Sequence, residues 1–264
     1  MMKNDKKCLI VTSLVGLGTM GLLVNTAEVK AAETGANYQS NGAVRFIPNT
    51  DPVDPVDPTD PTEPVDPIDP TDPEGPNPGT PGPLSIDFAS SFDFGVNQIS
   101  SVDALYYANP QRYQVAGKET PNYVQISDNR GLSAGWQLHV KQDTQFKNDD
   151  ARYNELKGAV ITIKDSEAVS NTVAVEAPTV SKKVTLQPGE AVPVMAATKG
   201  AGDGTWISRF GKLEQVAEKQ ADGSVKQVTK NTSVQLAVPG STPKSAVEYR
   251  SRLTWVLAEV NSND

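Results

Sequence analysis

Two short segments of the chain carry the same pair of side chains, a tryptophan followed two residues later by a leucine. Trp136 and Leu138 lie in the middle of the chain, and Trp255 and Leu257 lie near its C-terminal end, in a sequence with only 3 tryptophans. The flat face of an indole suits the apolar face of a sugar ring, so both tryptophans are candidates for binding a saccharide. The alternative is that both belong to a hydrophobic core.

The residues around the first tryptophan favour the core. Trp136, Leu138 and Val140 would share one face of a strand, because residues two apart point the same way. The residues between them are polar and would share the other face: Gln137, His139 and Lys141. Clean alternation of this kind is typical of a strand with one buried and one solvent-facing side. We therefore expect Gln137, His139 and Lys141 to be exposed residues that can contact a ligand.

The second tryptophan has apolar neighbours on both faces. Trp255 lies between Leu253 and Leu257, and Val256 lies on the opposite face. This pattern predicts a strand buried on both sides. The third tryptophan, Trp206, stands beside a glycine-rich loop, and we expect it to be a further exposed contact.

Catalysis and metal binding find little support in the residue types. His139 is the only histidine and Cys8 the only cysteine, so a metal site built from several such ligands is excluded by count. A Ser-His-Asp arrangement would have to use His139, which has no nucleophile motif near it. No particular pair of carboxylates stands out for cleaving a glycan, although such a hydrolase stays open as an alternative. We expect no catalytic residues, no metal and no cofactor.

The N-terminal end has the pattern of an export signal. Lysines precede an apolar run over residues 8–24, and small residues follow it. This order predicts a secretory signal peptide over residues 1–31. The run is short for a stable membrane span, so we expect no transmembrane segment in the mature chain. Residues 32–50 are expected to form a short N-terminal arm.

The negative charge of the chain is concentrated in one proline-rich tract. Residues 51–74 carry nine acidic side chains and no lysine or arginine, so subtracting them from the total of −8 leaves +1 for everything else. The rest of the chain has no basic patch for nucleic acid. Proline every third residue and repulsion between the carboxylates predict a disordered, extended linker over residues 51–83.

The remaining residues, 84–264, have the pattern of an all-β protein. Short β-branched and alternating runs are separated by frequent glycine and proline, as at Pro188-Gly189 and Pro239-Gly240. These signals predict a sandwich or barrel-like domain. In the segment 84–96 the large apolar residues all occupy even positions, which indicates strands.

With both Trp-x-Leu segments placed, the chain resembles the small WxL-domain surface proteins of Gram-positive bacteria. The resemblance rests on blocks spread over residues 84–264: Asp93-Phe94-Gly95, Gly135-Trp136-x-Leu138-x-Val140, Gly204-Thr205-Trp206, and Tyr249-x-x-x-Leu253-Thr254-Trp255-x-Leu257. The chain departs from the family pattern after Leu257, where the expected Asp-x-Pro ending is missing.

The resemblance implies a secreted, non-enzymatic protein that is attached non-covalently to peptidoglycan. It also implies that Trp136, Leu138, Trp255 and Leu257 take part in wall binding, and that the partners are other WxL proteins and companion surface proteins. The sequence has no sorting signal of the Leu-Pro-x-Thr-Gly type, which agrees with non-covalent retention. An adhesin for a host matrix protein or glycan is the alternative.

Overall fold

The computed structural model describes residues 37–219 and 223–260. The chain divides into two units, Met1–Arg45 and Phe46–Asp264. In the first unit the described residues 37–45 have no helix or strand and are exposed. The predicted signal peptide 1–31 and the first residues of the predicted arm lie outside the described residues.

The all-β fold class is confirmed, because the described residues form eighteen strands and no helix. The first nine strands are β1 (Val56–Asp57), β2 (Asp60–Pro64), β3 (Pro67–Ile68), β4 (Leu84–Ala89), β5 (Ala104–Ala108), β6 (Gln111–Tyr113), β7 (Glu119–Thr120), β8 (Tyr123–Asp128) and β9 (Trp136–Gln142). The other nine are β10 (Val160–Lys164), β11 (Ser166–Val169), β12 (Thr179–Val180), β13 (Lys183–Thr185), β14 (Ala191–Ala197), β15 (Gly204–Phe210), β16 (Leu213–Lys219), β17 (Val225–Val238) and β18 (Leu253–Glu259).

Three larger antiparallel sheets enclose one core. Their strand orders are β13-β10-β17-β16 with β5 also paired to β17, β11-β15-β8-β4, and β12-β14-β9-β18. We call the third one the motif sheet. Each sheet contributes completely buried side chains to the same cluster, such as Ile163 from β10, Ile126 from β8 and Trp136 from β9. The core therefore holds the sheets together without a disulfide, as expected of a chain with 1 cysteine.

Residues 51–83, the Asp-Pro tract, differ from the extended linker that we expected. They contain β1, β2 and β3 and belong to the same compact unit as the strands that follow. Val56 and Val65 pack against a small buried cluster that includes Phe88 and Tyr113. The tract is therefore a folded cover on the domain. The boundaries 32–50, 51–83 and 84–264 stay predictions as limits of separate domains.

The repeat itself explains why the tract turns. The carboxylate of Asp57 accepts hydrogen bonds from the backbone N–H of Thr59 at 2.7 Å and from its hydroxyl at 2.6 Å. Asp69 and Thr71 repeat this arrangement, with both bonds at 2.7 Å. An aspartate that bonds the backbone two residues on closes an Asx turn, and the intervening proline presets its geometry. The Asp-Pro-Thr units at 57–59 and 69–71 therefore turn the chain, whereas the third such unit, residues 60–62, lies within β2.

Buried polar groups attach the tract to the sheet that contains β8. The side-chain amide of Gln125, completely buried, donates to the carbonyl of Asp54 at 3.0 Å and accepts from the N–H of Val56 at 2.8 Å. Lys118 forms an ion pair with Asp57 at 2.8 Å. The tract thereby covers the second face of β8, which is why all six residues of that strand are buried.

Candidate functional site

The two Trp-x-Leu segments are neighbouring strands. β18 pairs antiparallel with β9, in a register that places Trp255 opposite Val140 and Leu257 opposite Leu138. Residues directly opposite each other in an antiparallel pair point to the same face of the sheet. Both motifs therefore contribute to the core-facing side of the motif sheet, although they lie far apart in the chain.

The first motif is completely buried. Trp136 and Leu138 are each 0% exposed, and the indole N–H of Trp136 donates to the carbonyl of Gly202 at 3.0 Å. Gly202 has a φ of 76°, and a Cβ added there would lie 2.9 Å from the indole nitrogen. The glycine-rich loop therefore serves to close over Trp136. In this fold neither motif residue is accessible to a polymer, and their part in wall binding stays a prediction.

The second motif is only partly buried. The ring of Trp255 stacks on that of Phe210, with centroids 6.3 Å apart and an angle of 8° between the planes. Val256, on the opposite face, is 47% exposed. The prediction of a strand buried on both sides is thus wrong, because the outer face of β18 is solvent-exposed.

Trp206 is also placed differently from our expectation. Its side chain is 5% exposed, and its indole N–H donates to the carbonyl of Asp203 at 3.0 Å. It lies on β15, which has β11 on one side and β8 on the other. The prediction of an exposed contact is therefore wrong, since this residue packs in the main core cluster.

A buried arginine joins the first motif to the end of the second. Arg130 binds both carboxylate oxygens of Asp128, at 2.9 and 2.7 Å, and donates to the carbonyl of Gly135 at 2.9 Å. It also forms an ion pair with Glu259, the last residue of β18, at 3.0 Å. The bonds to Asp128 raise the pKa of Arg130 further. The sequence places Arg130 in the first motif block, but only the structure shows its link to β18.

The three polar residues predicted on the solvent side of β9 are brought together on the outer face of the motif sheet. Gln137 is exposed, and His139 and Lys141 are partly exposed. The strand register places His139 between Pro193 and Val256. It places Gln137 between two alanines, Ala196 and Ala258. The two alanines beside Gln137 leave its side chain exposed on this face.

One end of this outer face carries a charged group. The ammonium of Lys141 lies 3.0 Å from the carboxylate of Asp143, which also accepts a hydrogen bond from the hydroxyl of Thr254 at 2.8 Å. The bond from Thr254, followed by that from Lys141, holds the pKa of Asp143 below its usual range. The outer face therefore offers an amide, an imidazole and an ion pair in one row along β9.

A separate cavity of about 630 Å³ lies under the Asp-Pro tract. Its domain side is formed by Phe88 and Tyr113, with Lys118 beside them, and its tract side is formed mainly by prolines: Pro52, Pro55, Pro64, Pro67, Pro76 and Pro78. Asp87 also lines it, and burial raises the pKa of that carboxyl despite the bonds it accepts. None of the site residues predicted from the sequence lies in this cavity.

Two kinds of site are not found in the part of the chain that the structure describes. Residues 37–219 and 223–260 contain no group of three or more His, Cys, Asp or Glu side chains arranged to hold a metal ion. Over the same residues there is no helix long and apolar enough to span a membrane.

Together, the fold and these surfaces define an all-β protein that presents a row of polar side chains along β9 and a cavity lined by prolines. The model of the WxL domain family, described as a surface cell wall-binding domain, matches residues 33–260. Since this is most of the chain, the protein belongs to the WxL family and is a cell wall-binding surface protein. The matched range also includes the Asp-Pro tract, in agreement with its packing on the domain. No curated protein and no solved structure matches the chain.

Proposed function

We propose that this chain is exported by residues 1–31 and held non-covalently on the peptidoglycan of a Gram-positive bacterium, where it acts in a multi-protein surface assembly and catalyses no reaction. Wall binding at the cell surface follows from the family. The particular polymer, the bacterial class and the assembly are the proposed part.

The outer face of the motif sheet carries this proposal. Peptidoglycan presents hydroxyl and acetamido groups along its glycan strands and carboxylates on its peptides. Gln137 offers an amide that both donates and accepts, His139 offers a ring nitrogen of each kind, and Lys141 offers an ammonium. The cross-strand neighbours of Gln137 and His139 are uncharged, so an extended polymer that crosses β14, β9 and β18 meets these polar groups on an aliphatic surface.

The proposed assembly is supported by an exposed apolar loop before β5. Val96, Ile99 and Val102 are 104, 59 and 69% exposed, respectively, and Leu105 at the start of β5 is 48% exposed. Clustered apolar side chains on a surface are typical of sites that contact other proteins. The loop therefore suits companion surface proteins, whereas the outer face suits the wall.

The test is retention of the full chain on purified, protein-free peptidoglycan. The full chain is required because the Asp-Pro tract packs on the domain. We expect the triple variant Gln137→Ala/His139→Ala/Lys141→Glu to lose at least tenfold in retention. Lys183→Glu, an exposed strand lysine of another sheet, is the matched control and should bind as well as the unchanged chain. Equal retention of both variants on peptidoglycan would exclude the outer face of the motif sheet as the wall-binding site.

The same experiment separates wall binding from adhesion. As an adhesin, the chain would bind immobilised matrix proteins and would not be retained on peptidoglycan. The apolar loop is the surface that favours this alternative. An adhesin that works through it would lose matrix binding in a Val96→Asp/Ile99→Asp variant. We expect that variant to keep its retention on peptidoglycan.

A further inference from the structure

A short segment before the Asp-Pro tract is apolar, suited to a strand, and unpaired. Val44, Phe46 and Ile47 are 79, 87 and 76% exposed, respectively, and residues 37–50 have no helix or strand. Valine, isoleucine and phenylalanine favour strands. As a strand, residues 43–47 would direct Val44 and Phe46 to one face. We call residues 43–47 the donor segment.

The same chain has an open strand edge of matching character. β18 pairs with β9 on one side, and among the described residues no backbone hydrogen bond joins its other side to another segment. Residues 253–258 of β18 contain no charge and no proline, the two features that usually protect an edge against pairing. Its core-facing side chains are only partly buried: Leu253, Trp255 and Leu257.

Other long edges are less suitable for an added strand. The free side of β4 is already occupied, because Ile86 accepts a hydrogen bond from the backbone N–H of Thr80 at 2.8 Å and donates one to its hydroxyl at 2.8 Å. The edge strand β16 is charged, with Glu214 and Glu218 among its seven residues. Among the described residues, β18 is therefore a long edge strand with no backbone hydrogen bonds on one side and with Glu259 as its one charged residue. The edge strand β5 is also uncharged, but it is shorter, with 5 residues against 7 in β18.

We propose that the donor segment of one copy pairs with the β18 edge of a second copy. Added strands obtain affinity from main-chain hydrogen bonds and specificity from alternate side chains. Val44 and Phe46 would then lie beside Trp255 and cover the exposed part of its indole. We commit to a second copy because the donor side chains are exposed in the single chain. Each copy has one donor and one acceptor, so the contact is head-to-tail and propagates into rows.

The size of the contact sets the expected strength. A five-residue strand buries less than the roughly 1,200 Å² that marks stable, specific interfaces, so a single contact is weak. Many copies on one wall would bind in rows because neighbouring contacts reinforce each other. In solution the association should accordingly depend on protein concentration.

The first test is sedimentation velocity of the full chain over roughly 1 to 500 μM, a range suited to a small interface. We expect concentration-dependent oligomers that Phe46→Asp weakens at least tenfold. Val173→Asp replaces a valine that is 83% exposed elsewhere, and it should leave the association unchanged. Both positions are exposed, so melting temperatures should stay the same. Equal association of the two variants would overturn the proposal.

The second test locates the contact by cross-linking two different copies. In a Cys8→Ser background, one variant carries Arg45→Cys and the other carries Val256→Cys, and a short bismaleimide is added to the mixture. We expect a cross-linked heterodimer of these two variants. We expect no heterodimer when Val173→Cys replaces Val256→Cys. No heterodimer, or an equal yield with the Val173 control, would refute the site. Cross-linking mainly within single chains of an Arg45→Cys/Val256→Cys variant would refute the second copy as the occupant.

Discussion

Replacing Trp136 with alanine removes a completely buried indole from the core of the motif sheet, whereas the same change at Trp255 removes a partly buried one. Truncating a buried tryptophan costs about 3–5 kcal/mol. The variant also leaves the carbonyl of Gly202 without its donor, which adds about 1 kcal/mol. The sum of about 4–6 kcal/mol is a large share of the roughly 5–15 kcal/mol that stabilises a typical domain.

Trp255→Ala is the matched control, because it makes the same chemical change on the neighbouring strand. Trp255 stacks on Phe210 but is only partly buried, so we expect a loss of about 1–3 kcal/mol, roughly half of the full burial value. Urea unfolding gives both free energies. For a protein of this size, each kcal/mol lowers the melting temperature by about 2–4 °C, so Trp136→Ala should melt roughly 10–20 °C lower.

Wall binding of the two variants, measured below both melting temperatures, shows whether a tryptophan only stabilises the fold or also contacts the wall. We expect folded Trp136→Ala to retain wall binding in proportion to its folded fraction. Lost binding at an unchanged melting temperature, or a larger loss of stability at position 255 than at 136, would refute the assignment of Trp136 to the core.

Three further predictions concern the tract, the buried arginine and the glycine loop. Burial would raise the pKa of Asp57, but the bonds from Lys118 and Thr59 outweigh burial and hold that pKa below its usual value. The stability that ionised Asp57 contributes is therefore present above about pH 3.9 and is lost as the pH falls through the pKa of the folded state. The stability gap between the unchanged chain and Asp57→Asn should thus shrink from pH 5 to pH 2 in thermal melts, and a constant gap would contradict the ion pair. Arg130→Ala leaves the buried Asp128 unpaired and should lower the free energy of unfolding in urea by about 3–5 kcal/mol. Glu259→Gln changes a side chain that is 63% exposed and should cost less than about 1 kcal/mol. Similar losses in the two variants would contradict the buried pairing of Arg130 with Asp128. Gly202→Ala would put a Cβ 2.4 Å from that of Ala197, whereas Gly200→Ala, also at positive φ, meets nothing within 4 Å; the first should lower the melting temperature clearly more, and equal shifts would show that the loop does not close tightly on the indole.

The sequence predicts those parts of the fold that depend on local pattern. The alternation through β9 gives the correct core face, with Trp136, Leu138 and Val140 all 0% exposed. In the segment 84–96 the pattern predicts strands too far along the chain, since β4 ends at Ala89. Local periodicity thus finds a strand and its faces more reliably than its end.

Features that depend on distant partners are not readable from one sequence. Trp206 looks exposed beside its glycine-rich loop, but it packs in the main core. Trp255 looks buried from its apolar neighbours, but the outer face of its strand is exposed. In both cases the exposure depends on what packs against each face of the strand, and long-range contacts set that packing.

The Asp-Pro tract combines both situations. The threonines that follow some of the Asp-Pro pairs, such as Thr59 and Thr71, are a local signal for Asx turns that composition alone conceals. The attachment of the tract through the side chain of Gln125 is long-range and has no local signal. A tract rich in charge and proline can therefore fold when a domain supplies its hydrogen-bond partners.

Hydroxyl-radical footprinting of the full chain, free and bound to purified peptidoglycan, measures directly which surface of the protein contacts the peptidoglycan. Bound chain should show protection of His139 and its neighbours on the outer face, with Trp136 unmodified in both states. His139 labelled equally in both states, with protection at the exposed edge of Trp255 or at the cavity under the tract instead, would contradict the account.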